Sequence, residues 1–336
     1  MEMIIDAMGG DHAPEAIVRG AVMGLTEYQD IRIVLTGDKT AIDAVLSQLD
    51  YDKSRIDIIH TTEIIHMDDP PVKSVKEKTD SSLVVALNET VKRPGSIVIS
   101  AGCTGALVAG ATLIVRRLPG VKRPAFAPVL PTKTGHVLLV DGGANVDSKP
   151  RYLEQFGIMG SVYMEKVFGI KNPKVGLINN GSEAEKGNEL TKEAYELLEK
   201  ASINFVGNAE GRDLLSGDFD VLVCDGFVGN IVLKLVEGSA KTILGMMKTY
   251  IKESIAAKIG AVFMKSVFRK LKKKMDYEET GGALLLGLNG GVVKAHGSSD
   301  ARAIFSAIRV ARNFITGDVV NIIKKEVAGR EEGTPV

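Results

Sequence analysis

The chain changes its hydropathy period again and again. Short runs rich in valine and isoleucine stand at residues 3–7, 31–36, 56–60, 97–100, 136–140, 174–178 and 221–224. Helical periodicity fills the intervals at 13–27, 40–49, 83–92, 151–168 and 185–200. Strands that are apolar on nearly every residue belong in a parallel sheet covered on both faces, and the intervening helices supply the cover. The expected fold is therefore α/β, a doubly wound, mostly parallel sheet in three α/β/α layers. No Ser/Gly-rich or Pro-rich linker and no internal repeat interrupts the pattern, so residues 1–336 read as a single large α/β domain. Only residues 328–336 read as a frayed tail.

Composition narrows the function. Lys+Arg and Asp+Glu are both 42, so formal net charge is +0. A balanced chain is a poor general binder of polyanions, which argues against nucleic acid as a partner. Two cysteines, Cys103 and Cys224, cannot build a disulfide framework and suit a reducing cytosol. The start, Met1-Glu2-Met3-Ile4-Ile5-Asp6, lacks the basic and long apolar regions of a signal peptide. Residues 94–115 carry no charge and are long enough to span a bilayer. The polar, glycine-broken Ser100-Ala101-Gly102-Cys103-Thr104-Gly105 divides them into strand, turn and helix instead.

Glycines cluster just after the strands: Gly9-Gly10, Gly102 and Gly105, Gly142-Gly143, Gly181, Gly226 and Gly229. In an open parallel sheet, ligands bind at the carboxyl ends of the strands. Glycine there lets backbone N–H groups approach an anion, and the next helix N-terminus adds partial positive charge. Each turn taken alone is equally explained by turn geometry. No two glycines are spaced i, i+2, so the Gly-x-Gly-x-x-Gly dinucleotide fingerprint is absent. There is no Gly-Lys-Ser/Thr, no His-Glu-x-x-His and no Gly-x-Ser-x-Gly.

Five constellations remain. Asp6-Ala7-Met8-Gly9-Gly10-Asp11-His12-Ala13-Pro14 ends a strand and opens a helix, where Asp11 is expected to cap. Asp141-Gly142-Gly143-Ala144-Asn145-Val146-Asp147 sets two carboxylates and an amide past a buried strand, to position a base, hold a cation or bind a loop. Asn179 to Gly187 brings Lys186 to an expected helix start, either for phosphate or as a solvated terminus. Asp225-Gly226-Phe227-Val228-Gly229-Asn230 leads to Lys234, which shares a helix face with Asn230. In an apolar stretch Lys234 serves a site or snorkels to solvent. Finally, Gly281 to Ser299 reads as two strands joined around Asn289-Gly290-Gly291, with His296 at a strand end as a candidate base.

A separate signal lies in residues 254–275. They carry Lys258, Lys265, Arg269, Lys270, Lys272, Lys273 and Lys274 and no acid. Ile259, Phe263, Met264, Val267, Phe268 and Leu271 recur at helical spacing. A cationic amphipathic helix of this kind lies on an anionic membrane surface, or packs on its own core or a second subunit. The segment 238–278 is expected to project from the domain.

Taken in order, residues 6–14, 100–106, 140–147, 178–187, 221–237 and 281–298 resemble the bacterial acyl-ACP:phosphate acyltransferase family of phospholipid synthesis. The resemblance covers nearly the whole chain. It implies an isopropylmalate dehydrogenase-like fold and transfer of a long-chain fatty acyl group from acyl carrier protein to inorganic phosphate. It also implies a homodimer, cytoplasmic and peripherally bound at the inner face of the cell membrane, with no metal and no cofactor. Lys186, Asp225, His296 and His12 are then the expected catalytic residues. Gly9, Gly10, Asp11, Ser100, Gly102, Thr104, Gly105, Asn145, Asp147, Asn180, Gly181, Asn230, Lys234 and Gly282 are expected to bind phosphate or substrate. Ile259, Val262, Phe263, Met264, Val267 and Phe268 are expected to face lipid. Arg116, Arg117, Lys122 and Arg123 are candidates for docking the acidic carrier protein. The rival readings are a coenzyme A-dependent phosphate acetyl- or butyryltransferase, a dehydrogenase of the same fold group, and a non-catalytic membrane scaffold for lipid enzymes.

Overall fold

The computed structural model describes residues 1–275 and 281–328. The first strands are β1 (Glu2–Asp6), β2 (Arg32–Gly37), β3 (Ile56–His60), β4 (Ile97–Ser100) and β5 (Ala125–Ala127). The chain then passes to a second sheet, built from β6 (Val129–Pro131), β7 (His136–Val140), β8 (Lys174–Ile178), β9 (Asn204–Ala209) and β10 (Val221–Val223). It returns to the first sheet through β11 (Ala283–Leu286) and β12 (Gly291–Lys294). The orders are β3-β2-β1-β4-β12-β11-β5 and β6-β7-β10-β8-β9. Pairing is parallel except where β11 meets β12 and β5, and where β6 meets β7.

The helices are α1 (Glu15–Glu27), α2 (Lys39–Leu46), α3 (Pro71–Glu77), α4 (Ser82–Lys92), α5 (Thr104–Gly110) and α6 (Pro150–Phe168). They continue with α7 (Glu189–Glu199), α8 (Gly226–Glu253), α9 (Ile255–Phe263), α10 (Lys265–Met275), α11 (Ala301–Thr316) and α12 (Val319–Ala328). One apolar cluster joins both sheets, from Ile5, Ile33 and Ile99 to Leu138, Leu177 and Val223. The opposite faces are covered separately, with Ile4, Val34 and Val98 under Leu87 and Leu107, and Leu139 and Leu222 under Val232 and Leu233. Near-continuous apolar strands therefore feed one shared core and a separate cover on the other face of each sheet, as the sequence pattern requires of a three-layer fold.

The division into two sheets turns on very short strands. Only Pro128 separates β5 from β6, and each of these strands has three residues. Neither these strands nor β9 stands out by hydropathy period. The hairpin expected around Asn289-Gly290-Gly291 is present as β11 and β12. The helix expected from 185 starts later, at Glu189, because the Asn188 side chain accepts the Thr191 N–H and caps it there. Residues 94–115 divide as read, into β4, α5 and a π-helical turn at Ala111–Val115, and no helix among the described residues is long and apolar enough to cross a membrane.

Helix α8 buries only Gly226, Gly229, Val232 and Leu233, all in its first turns. α9 buries no residue. Of the segment 238–278, residues 276–278 lie outside the described residues, as do residues 329–336 of the expected tail.

Close approach fixes where α8 begins. A Cβ on Gly229 would stand 1.8 Å from the Asp141 carbonyl oxygen. Gly229→Ala is therefore expected to push α8 off the loop after β7 and to cost about 1–3 kcal/mol of stability. Denaturant unfolding measures this, and an unchanged midpoint would show that the helix does not need the contact.

Candidate active site

Strand ends from both sheets converge on one cleft of about 440 Å³. The first sheet contributes Asp11 after β1, Thr104 at the start of α5, and Lys294, Ala295, His296 and Gly297 at and beyond the end of β12. The second contributes Gly142, Gly143 and Ala144 after β7 and, from α8, Asn230, Leu233, Lys234 and Glu237. Between them Phe126, Pro128, Val129 and Leu130, with Met67 and Val108, make an apolar wall. This is the carboxyl-end position at which open α/β sheets bind ligands.

A polar row runs across adjacent strands, and its last member, Lys294, lines the cleft. Register pairs Thr36 with Asp6, Asp6 with Ser100, and Ser100 with Lys294. In-register parallel strands point paired side chains to the same face. The Ser100 hydroxyl donates to Asp6 Oδ2 at 2.7 Å, and the Gly102 N–H donates back to Ser100 Oγ at 3.1 Å. A Cβ at Gly9 would meet Asp6 Oδ2 at 2.5 Å and the Gly102 nitrogen at 2.7 Å, so glycine alone lets these two turns touch. Burial raises the Asp6 carboxyl above the usual range, against hydrogen bonds from Ser82 and Ser100.

Lys294 is the residue that sequence reasoning missed. It is 6% exposed, and its Nζ donates to the Ala101 carbonyl at 3.4 Å and to the Ala295 carbonyl. Burial pulls its ammonium down to about 8, with the charges of Cys103, Asp6 and Asp11 resisting. In the sequence it is one lysine inside Val292-Val293-Lys294-Ala295. The signal available was its place as the last residue of an apolar strand, two residues before His296 and its glycine.

Asp141 shapes the opposite wall. It is fully buried, and its Oδ1 accepts N–H groups from Phe126, Gly143 and Ala144 at 2.9–3.1 Å. Its Oδ2 accepts the Asn145 N–H at 2.7 Å and the Asn145 side-chain amide at 2.9 Å. Of the three uses open to this motif, binding the loop is the one that the geometry shows. Asn145 belongs to that support, while Asp147 is exposed.

The other expected residues divide by place. Asp11, Thr104, Asn230, Lys234, Gly282 and His296 line the cleft. Gly10 packs beneath it, with φ +103° and a Cβ position 3.0 Å from the Gly297 oxygen, and the Asp11 N–H donates to that same oxygen. Asp11 does not cap α1; Pro14 holds that position without a side-chain bond. Asp225 caps α8, accepting the Val228 N–H at 2.8 Å. Lys234 pairs with Glu237 at 3.2 Å on the cleft rim. His296 is lowered by burial and by the Lys294 charge. Its Nδ1 lies 2.8 Å from Ser298 Oγ and accepts the Ser298 N–H at 3.2 Å. His12 and Gly105 stand outside the lining. Asn180, Gly181 and Lys186 sit on the turn after β8, where Gly181 packs against the Lys186 side chain. Among the described residues no group of His, Cys, Asp and Glu is arranged to hold a metal.

The profile of the family described as "Fatty acid synthesis protein" matches residues 1–322. A protein of Clostridium perfringens named "Phosphate acyltransferase" is 52% identical over 328 residues, covering 97% of each chain. One of Alkaliphilus oremlandii with the same name is 49% identical over 98% of each. The chain belongs to the phosphate acyltransferase family. Among solved structures, a phosphotransacetylase from Streptococcus pyogenes superposes with a TM-score of 0.61 over 96% of this chain and 94% of its own, at 17% identity. A "4-hydroxythreonine-4-phosphate dehydrogenase" from Salmonella typhimurium gives 0.51 over 93% and 98%, at 12% identity. These two share the fold with the family.

Lys294 carries a testable cost. Its folded pKa of about 8 lies below the ordinary 10.5, so between these values the unfolded chain holds more protons. Stability then rises with pH through that window. Lys294→Met is expected to flatten this rise and to stabilise the protein at pH 7 by about 1–3 kcal/mol, because a buried charge is replaced by an apolar group of similar volume. Chemical unfolding at pH 7, 8, 9 and 10 checks it, and parallel curves for the two proteins would contradict it.

Proposed function

We propose that this chain transfers a long-chain fatty acyl group from acyl carrier protein to inorganic phosphate and releases an acyl phosphate. The observation that carries the reading is a cleft lined by two kinds of group: Lys294, His296, Asp11, Lys234 and Glu237 are polar or charged, and Val108, Phe126, Val129, Leu130 and Leu233 are apolar. Phosphate suits the first set and an acyl chain the second. Membership of the phosphate acyltransferase family supports the same reading.

Phosphate is already a nucleophile, so no covalent acyl-enzyme is needed. A phosphate oxygen bonds to the thioester carbon, the carbon–sulfur bond breaks, and the proton released by phosphate ends on the carrier thiol. The protein holds and aligns phosphate and stabilises the developing oxyanion. His296 is suited to the oxyanion. Its Nδ1 accepts from the Ser298 N–H, so the neutral ring carries its proton on Nε2 and donates from there. This reading replaces the general base expected of His296 with an electrophile. The role of Lys186 rests on the family resemblance.

The segment α9–α10 completes the proposal. Ile259, Val262, Phe263, Met264 and Val267 are exposed beside Lys258, Lys265, Arg269 and Lys270, and Phe268 is half-buried. Such a surface anchors the protein peripherally to the inner, anionic face of the membrane, where a poorly soluble acyl phosphate is used. A homodimer and carrier-protein docking at Arg116, Arg117, Lys122 and Arg123 belong to the same proposal.

Purified protein is expected to make palmitoyl phosphate from palmitoyl-ACP and phosphate, seen by mass spectrometry, and no acetyl phosphate from acetyl-CoA. The reverse preference would favour the coenzyme A-dependent reading, and vesicle binding without transfer would favour a scaffold. His296→Ala should lower kcat about 10²–10³-fold, and His296→Gln, which keeps a donor, should lose less. Equal rates for all three proteins would remove His296 from the reaction. Replacing Val262, Phe263 and Val267 by glutamate should abolish flotation with phosphatidylglycerol vesicles, and retained flotation would remove α9–α10 from membrane contact.

A further inference from the structure

The cleft holds a cation, Lys294, with no carboxylate in contact among the described residues. Lys294 is 6% exposed, and its two hydrogen bonds go to the carbonyl oxygens of Ala101 and Ala295 rather than to a carboxylate. An ammonium has three donors, so one remains for the cleft that Lys294 lines. Carbonyl dipoles only partly offset the cost of burying a full charge, and an anion in contact offsets far more.

The surroundings fit a small, multiply charged oxyanion. Gly9 and Gly102 bring two backbone turns together beside the cleft, and Gly297 lines it. The Ser100–Asp6 bond fixes the strand end next to β12, so the lysine is held rather than mobile. The charged and titratable groups facing it are Asp6 and Asp11 from β1 and its turn, Cys103 before α5, Lys234 on α8, and His296 on its own segment. Burial raises the Asp6 carboxyl, which weakens it as a counter-charge.

We infer that Lys294 anchors the nucleophile, its ammonium bonding one oxygen of inorganic phosphate in the cleft. The inference rests on the functional reading above and adds to it the residue that holds phosphate before transfer. A thioester carbonyl is neutral until attacked, whereas phosphate is charged on arrival, so the buried full charge suits phosphate and His296 suits the oxyanion. Lys294 then contributes mainly to phosphate affinity and less to carrier-protein affinity.

Calorimetric titration of the full-length protein with inorganic phosphate, set beside steady-state kinetics, tests this. Lys294→Met should weaken phosphate binding and raise KM for phosphate at least tenfold, and leave KM for palmitoyl-ACP within about twofold. Lys294→Arg should recover part of the phosphate affinity. In the unaltered protein, phosphate Kd should rise about tenfold per pH unit above about 8, as the free ammonium is lost. This titration decides the matter alone if the variants do not fold. Unchanged phosphate affinity in Lys294→Met, a flat Kd above pH 8, or no measurable binding would overturn the inference. Lys294-dependent phosphate binding without acyl transfer would keep the anchor and defeat the functional reading. Transfer with an unaltered phosphate KM in Lys294→Met would do the opposite.

Discussion

The Asp141 carboxylate ties the two sheets together. It accepts the Phe126 N–H from β5 of the first sheet and three N–H groups from the loop after β7 of the second. The Gly142 N–H returns a bond to the Phe126 carbonyl at 2.7 Å, and the Asn145 carbonyl accepts the first N–H of α8, from Gly226. One buried acid thereby sets the apolar wall, the glycine loop and the start of α8 in a common frame. Every group on the second-sheet side of the cleft inherits its position from those bonds. Removing one acceptor would leave several buried donors unpaired, which costs far more than the mean value of a hydrogen bond.

The first-sheet side is built on the opposite principle. Its polar row is not fully paired among the described residues. Ser100 satisfies Asp6, but Lys294 is left with carbonyl partners and an open cleft. A folded state chosen for stability alone would place an apolar residue there. Keeping a buried charge without a carboxylate in contact, next to a histidine that its field helps to keep neutral, spends stability on readiness for an anion. The two walls thus divide the work: Asp141 supplies rigidity, and Lys294 supplies a charge held ready for an anion.

Much of this was legible in the chain. The apolar strands, the helices between them and the glycine turns specify a three-layer parallel fold through period alone, and the cleft lies where such sheets put ligands. Asn230 and Lys234 share the cleft as their spacing requires. The two-sheet division was not legible, because β5 and β6 have three residues each, too few to show a period. Asp11 was misread as a cap because its loop passes under Gly297 before the helix starts at Glu15. Lys294 was missed because a single charge in an apolar strand reads as an interruption, and only the pairing of β12 with β4 puts it beside Ser100. Asp141 and Asp147 look alike in sequence, and burial alone separates the structural acid from the exposed one.

The central claim is that phosphate itself attacks the thioester in this cleft. Mixing the protein in molar excess with palmitoyl-ACP in phosphate-free buffer, and following free carrier thiol and the intact mass of the protein, tests it most directly. The account predicts no thiol and no added mass until phosphate is supplied, then one thiol and one acyl phosphate per donor. A stoichiometric burst of thiol without phosphate, with a palmitoyl group on the protein, would contradict it.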